Sequence, residues 1–300
     1  MHIILFDRPD RLGANIINYI AQILFAYNNK YHIKYINNNK NNYKYSDSIF
    51  VICLFNIIDN YNKNLDKIKW DSIEDKDGND GNDILITMEN QHDWISIISH
   101  VSQNIQNDLI SYFTSNIFNL IKDDFIKLTT EKNYNNNIPF DIDKTILVHL
   151  RLDDVSNRPD YDGSICSNYY RNKMNNNQNC ICEFYNSVNN QAPLSKEKLV
   201  NVIEKAKVKY NDYKVILLAS PNSNTSFLDY PVIKNDDSSY DLYLLTMCNV
   251  VILSRSTFAL SSLCFTDSNK KKDVYIPLWG HFVCCGLDTI YDKNNYNYFY

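Results

Sequence analysis

His149, Arg151, Asp153 and Asp154 close the run ILVHLRLDD, in which an apolar segment turns abruptly polar. Side chains alternate along an extended strand. Val148, Leu150 and Leu152 therefore share one face, while Leu147, His149, Arg151 and Asp153 share the other. A histidine and an arginine arrive together at a strand terminus. The guanidinium offers a planar fork of donors suited to phosphate oxygens, and an aspartate beside it can orient the pair or accept a proton. An ion pair of Arg151 with Asp153 or Asp154 is the purely structural account of the same residues.

A second group lies in VVILSRSTFALSSL, residues 250–263, which reads as a buried strand, a short turn and a helix. Ser256 or Thr257 falls at the helix start, where unbonded backbone N–H groups and hydroxyls gather at the positive end of the helix dipole. Such a turn binds anions without a lysine. Simple N-capping by the same hydroxyls is the competing account.

Both groups need a sheet to carry them, and the pattern supplies one. HIILF at 2–6 reads as a strand, followed by the loop DRPDRLG and an amphipathic helix from Ala14 to Tyr27 with Ile16, Ile17, Ile20, Leu24 and Tyr27 on one face. YHIKYI, IFVICLF and ILITM read as further strands, and 104–128 as a long helix carrying Leu109, Phe113, Ile117, Leu120 and Ile126. The polar stretch 129–144 has turn residues and no apolar period, which makes it the linker. Beyond it TILVHL, KVILLA, VVILS and DVYIP read as strands, with helices over 195–210 and 239–248. The expected fold is α/β, with an N-terminal domain over 1–135, a C-terminal domain over 145–285 and a tail, 286–300, packing back on the first domain. Alternating strands and helices imply parallel sheets, whose ligands sit at the carboxyl ends of the strands.

Bulk properties exclude several classes. With 30 Lys+Arg against 35 Asp+Glu the formal charge is -5, so no global basic field holds nucleic acid or an anionic membrane. IFVICLFNII is about half of what spans a bilayer, and MHIILFDRPD lacks a secretion leader, so no transmembrane segment and a cytoplasmic site are expected. The 8 cysteines read mostly as free thiols. Cys166, Cys180 and Cys182 lack the spacing of a zinc site, and DKDGNDGND departs from a calcium loop at Asp80 and Ile86. There is no Gly-x-Gly-x-x-Gly, phosphate-loop lysine motif or Gly-x-Ser-x-Gly elbow, although SRSTF with His281 as base keeps a hydrolase in view.

Taken together, DRLGANIINYIAQILFAY, HLRLDD and YDLYLLTMCNVVILSRSTFALSS resemble the fucosyltransferase superfamily, especially its α-1,2-fucosyltransferase-like members. The resemblance covers most of the chain, in order, and its late motif is the most specific. It implies a GT-B-like fold of two Rossmann-like α/β domains facing across a cleft. The implied activity is inverting, metal-independent sugar transfer from a nucleotide-sugar donor, GDP-fucose, to a glycan acceptor, with no cofactor. Arg151 matches the arginine on the donor diphosphate. His149 and Asp154 match the outer positions of that motif, and Ser254, Ser256, Thr257 and Phe258 match the late one. Asp241 opens the helix of the nucleotide pocket. Ser220 after KVILLA, and Arg11, Gly13 and Asn15 of the early loop, complete the implied donor site.

Acting as metal does elsewhere, Arg151 and the donors around Ser256 and Thr257 would stabilise the leaving diphosphate. Asp10, Asp7 and Asp153 are the candidates for a base toward the acceptor hydroxyl. Tyr169, Tyr170 and Arg171, in the insert after the arginine strand, are candidates for the acceptor side. Leu152 stands where many relatives have a second arginine, Ala14 where the early loop has Asn, and FALSS where they have FSWWA. These departures motivate the alternative of a degenerate transferase fold that binds a glycan or nucleotide without turnover.

Overall fold

The computed structural model describes residues 2–7, 11–67, 108–152, 155, 192–267, 270–277 and 296–299. The chain divides into two compact units, Met1–Lys132 and Asn133–Tyr300.

In the first unit, strand β1 (His2–Ile4) leads into helix α1 (Leu12–Asn29) and then strand β2 (His32–Lys34), which pairs parallel to β1. Leu12, Ile16, Ile20 and Ile23 give α1 its buried stripe. Lys30 ends the helix in the left-handed region, its N–H donating to the carbonyls of Ala26 and Tyr27.

IFVICLF is not a strand but the start of helix α2 (Ile49–Lys67). A short apolar run is compatible with either period. What decides is the recurrence of buried residues beyond it, at Ile58, Tyr61 and Leu65. Helix α3 (Asp108–Glu131) packs on α2, with Phe125 5.7 Å from Phe50 between ring centroids. Its buried residues there are Ile121 and Phe125, whereas Leu120 and Ile126, expected on the apolar face, are 45% and 52% exposed. ILITM lies outside the described residues.

The second unit holds a six-stranded parallel sheet. Its strands are β3 (Thr145–Leu150), β4 (Lys214–Ala219), β5 (Val232–Lys234), β6 (Val250–Ile252), β7 (Asp273–Pro277) and β8 (Tyr296–Phe299). They lie in the order β5-β4-β3-β6-β7-β8, every neighbouring pair parallel. Counted within the unit this is 3-2-1-4-5-6, the doubly wound order, and β3 is at its centre. All six residues of β3 are buried, as both faces of a parallel sheet must be.

Helix α4 (Lys196–Lys209) covers one face. Leu199, Val202, Ile203 and Ala206 pack with Ile146, Val148 and Leu150 of β3, Val215 and Leu217 of β4, and Val250 and Ile252 of β6. Ser195 caps the helix, its hydroxyl accepting from the Lys198 N–H at 3.3 Å. Helix α5 (Ser238–Met247) and the short helix α6 (Thr257–Ser261) pack against the turn that follows α6.

Of the tail, residues 296–299 are described. They pair with β7 as the sixth strand, and Phe299 packs on the α4-side core. The sequence YNYF hides a strand because it is only four residues long and all four are half-buried at the sheet edge. The linker is shorter than 129–144, because α3 runs to Glu131 and the units divide after Lys132.

Candidate functional site

From β3 the sheet grows to one side through β4 and to the other through β6, so the chain reverses direction between these two neighbours. In open sheets of this kind the splayed connections leave a crevice at the carboxyl ends of the two strands. His149 and Arg151 stand at the end of β3, and the turn Ser254–Arg255–Ser256 stands just past the end of β6.

The two ends touch. His149 Nδ1 lies 2.7 Å from Ser254 Oγ, both residues being buried. The imidazole also lies 5.7 Å from the Phe258 ring on α6, tilted by 33°. One ring nitrogen is thus committed to the serine. Arg151, half-buried, donates from Nη1 to the carbonyl of Arg255 at 3.4 Å.

Arg255 itself was not among the residues the sequence singled out. It is 1% exposed, and its Nη1 donates to the carbonyl of Ala192 at 3.1 Å. Arginine is rarely buried to that degree, and no local pattern announces it. The only hint is its place between two serines of the late motif.

Ser256 is extended and buried at the start of α6, its N–H donating to Ser254 O at 2.8 Å and its carbonyl accepting from Leu260 N at 3.1 Å. Its hydroxyl makes no capping bond. Because α6 has only five residues, its dipole is a small contributor, and the anion argument moves from the helix start to the arginine. Thr257 and Phe258 are half-buried. Ser220 follows β4 with its hydroxyl 2.9 Å from that of Ser223.

Asp241 occupies the first turn of α5, whose cap is Asp237. Its carboxylate accepts from the Asn235 amide at 2.7 Å. Burial pushes the carboxyl up to about 7, opposed by the Asn235 hydrogen bond and reinforced by Asp237. Desolvation dominates, so this is a buried acid close to half-protonation at neutral pH.

The early-loop residues lie in the first unit. Arg11 is the exposed cap residue of α1; its carbonyl accepts from Asn15 N at 3.1 Å and from Asn15 Nδ2 at 3.3 Å. Gly13 and Asn15 are buried. Asn18 and Gln22 continue this buried amide stripe and hold the backbone of Phe6, with Asn18 Nδ2 at 2.9 Å and Gln22 Nε2 at 3.1 Å from its carbonyl, and the Phe6 N–H at 3.1 Å from Gln22 Oε1. Asp7 is engaged as well: it accepts from the Tyr19 hydroxyl and, at 2.6 Å, from the Lys44 N–H. Burial and Asp7 together push the Tyr19 phenol above its ordinary range.

Asp10, Asp153 and Asp154 lie outside the described residues, as do Tyr169, Tyr170, Arg171, His281 and the cysteines at 166, 180 and 182. Among the described residues no three His, Cys, Asp or Glu side chains form a set that could hold a metal ion, and no helix is long and apolar enough to cross a membrane. The structure therefore brings together His149, Arg151, Ser254, Arg255 and Phe258, with Ser256 and Thr257 adjoining. Comparison of the chain with protein-family models, curated proteins and solved structures returned no match.

Proposed function

We propose that the protein is a glycosyltransferase of the GT-B type, moving a sugar from a nucleoside-diphosphate donor to a glycan hydroxyl, with GDP-fucose the first donor to test. One observation carries the reading: His149 and Arg151 at the end of the central strand meet the Ser254–Ser256 turn at the switch point of a doubly wound parallel sheet. A diphosphate lodged there would meet the Arg151 guanidinium and the Thr257 hydroxyl. As the bond from the sugar to the diphosphate breaks, negative charge gathers on the leaving phosphate oxygens. A fixed guanidinium stabilises that charge as it develops without reorganising. Asp241, at the same edge of the sheet, belongs to the nucleotide side of the site. The resemblance of the three sequence motifs to the fucosyltransferase superfamily supplies the sugar and the base.

A nucleotide-binding module without turnover is the second reading. It is favoured by Asp7, which as a base candidate is already engaged by Tyr19 and Lys44.

The test is calorimetric titration of the protein with GDP, UDP, dTDP and CDP in the absence of metal, repeated on Arg151→Ala. Selective GDP binding, lost by roughly tenfold or more in the variant, is expected if the arginine holds the diphosphate. Preference for another nucleotide removes the fucose assignment, and absence of binding to all four removes the transferase. Turnover of GDP-fucose then separates the enzyme from the module.

A further inference from the structure

The turn after β6 does two jobs with adjacent groups. The Ser254 hydroxyl holds His149, and the next carbonyl, that of Arg255, holds Arg151. Neither contact has any use unless the turn itself is fixed. The Arg255 side chain is wholly buried and reaches the carbonyl of Ala192, itself buried just ahead of α4. Ser256 adds the local closure, its N–H bonded back to Ser254 O.

We infer that Arg255 is a positioning residue for the diphosphate site: its buried guanidinium pegs the Ser254–Ser256 turn to Ala192, so that its own carbonyl orients Arg151. The inference rests on the diphosphate reading given above. Burying a guanidinium carries a large desolvation cost. A leucine or methionine would fill the space at lower cost, so the charge is retained for the directed hydrogen bond to Ala192 that an apolar side chain lacks. Arg255 on this view never touches the ligand. It acts through Arg151.

A double-mutant cycle on GDP affinity tests this, using wild type, Arg151→Ala, Arg255→Met and the double variant without metal. Each single change is expected to weaken GDP by about tenfold or more, and the double variant to bind about as Arg151→Ala does, since the peg has nothing left to position. Guanosine, followed by ligand-observed NMR, is expected to bind all four proteins alike, which a general packing defect would not allow. Losses that multiply in the double variant, or unchanged GDP affinity in Arg255→Met, overturn the inference. If Arg255→Met does not fold, Arg255→Lys, whose single ammonium on a shorter stem replaces the fixed guanidinium fork that reaches Ala192, is put through the same cycle with the same criterion. Should Arg151→Ala bind GDP as wild type does, the diphosphate reading falls and the inference with it. A loss in Arg151→Ala alone overturns only the role of Arg255.

Discussion

His149 Nδ1 and Ser254 Oγ, 105 residues apart in sequence, lie 2.7 Å from each other and join the ends of the two strands between which the sheet changes direction. The contact sets the histidine in one orientation. A neutral imidazole that accepts from the serine at Nδ1 presents Nε2–H as a donor, whereas one that donates at Nδ1 presents Nε2 as an acceptor.

Ser254→Ala removes this partner from a buried nitrogen. The expected cost is about 1–3 kcal/mol of stability, the usual penalty for stranding a buried polar atom. Urea unfolding of the variant measures it, and nitrogen NMR of the His149 ring reports the accompanying loss of a fixed tautomer. A variant as stable as wild type, with an unchanged ring signature, would mean that the hydroxyl is replaced by another partner.

The start of the second unit is tied to α5. Tyr134 donates to Asp237 Oδ2 at 2.6 Å, Tyr240 to the Asn137 carbonyl at 2.8 Å, and Tyr243 to Asn135. Asp237 also caps α5, accepting from the N–H groups of Ser239 at 2.9 Å and Tyr240 at 3.2 Å. Asp237→Ala is therefore expected to cost about 1–2 kcal/mol through the cap alone. Tyr134→Phe is expected to cost about 1 kcal/mol, and the two losses should not add, because they share a carboxylate. Equilibrium unfolding of the singles and the double variant checks both statements.

Much of the second unit was legible in the sequence, and the reason is visible strand by strand. TILVHL, KVILLA and DVYIP are apolar runs of strand length bounded by turn residues, and the structure places β3, β4 and β7 on those same residues. β5 and β8 were not legible, since VIK and YNYF are short edge segments whose pairing is decided by the neighbour rather than by their own pattern. IFVICLF misled because its composition suits a strand while its continuation through Tyr61 and Leu65 suits a helix. Alternation alone put His149 and Arg151 on one face. Arg255 could not be read at all, because the burial of a charged side chain is fixed by what lies across the sheet end, here Ala192, and not by its sequence neighbours.

The edge strand gives a prediction of its own. Phe299 is half-buried against the α4-side core, so Phe299→Ala is expected to cost about 1–2 kcal/mol, part of the value of a fully buried ring. Hydrogen exchange on the full chain locates the effect. Faster exchange in β7, with β1 and β2 keeping their protection, is the result expected from a tail that pairs with β7. Loss of protection in β1 and β2 instead would place the tail on the first unit.

Asp241 makes stability depend on pH in a direction opposite to that of an ordinary paired carboxylate. Burial raises its carboxyl to about 7 in the folded protein, while an aspartate in an unfolded chain titrates near ~3.9. Between those values the folded protein keeps a proton that the unfolded chain has released. The native state then binds more protons than the unfolded state, and stability falls as pH rises through the window. The contribution is complete at the acid end, below the unfolded value, and is lost as pH passes through about 7. Asp241→Asn keeps an oxygen for the Asn235 amide and carries no titrating proton. It is expected to flatten the slope, so that between pH ~5 and ~7.5 the variant loses about 1–3 kcal/mol less stability than wild type. Urea unfolding of both proteins at those pH values measures the difference. If the variant weakens as steeply as wild type, the pH dependence belongs to another group, and Asp241 is charged in the folded protein throughout.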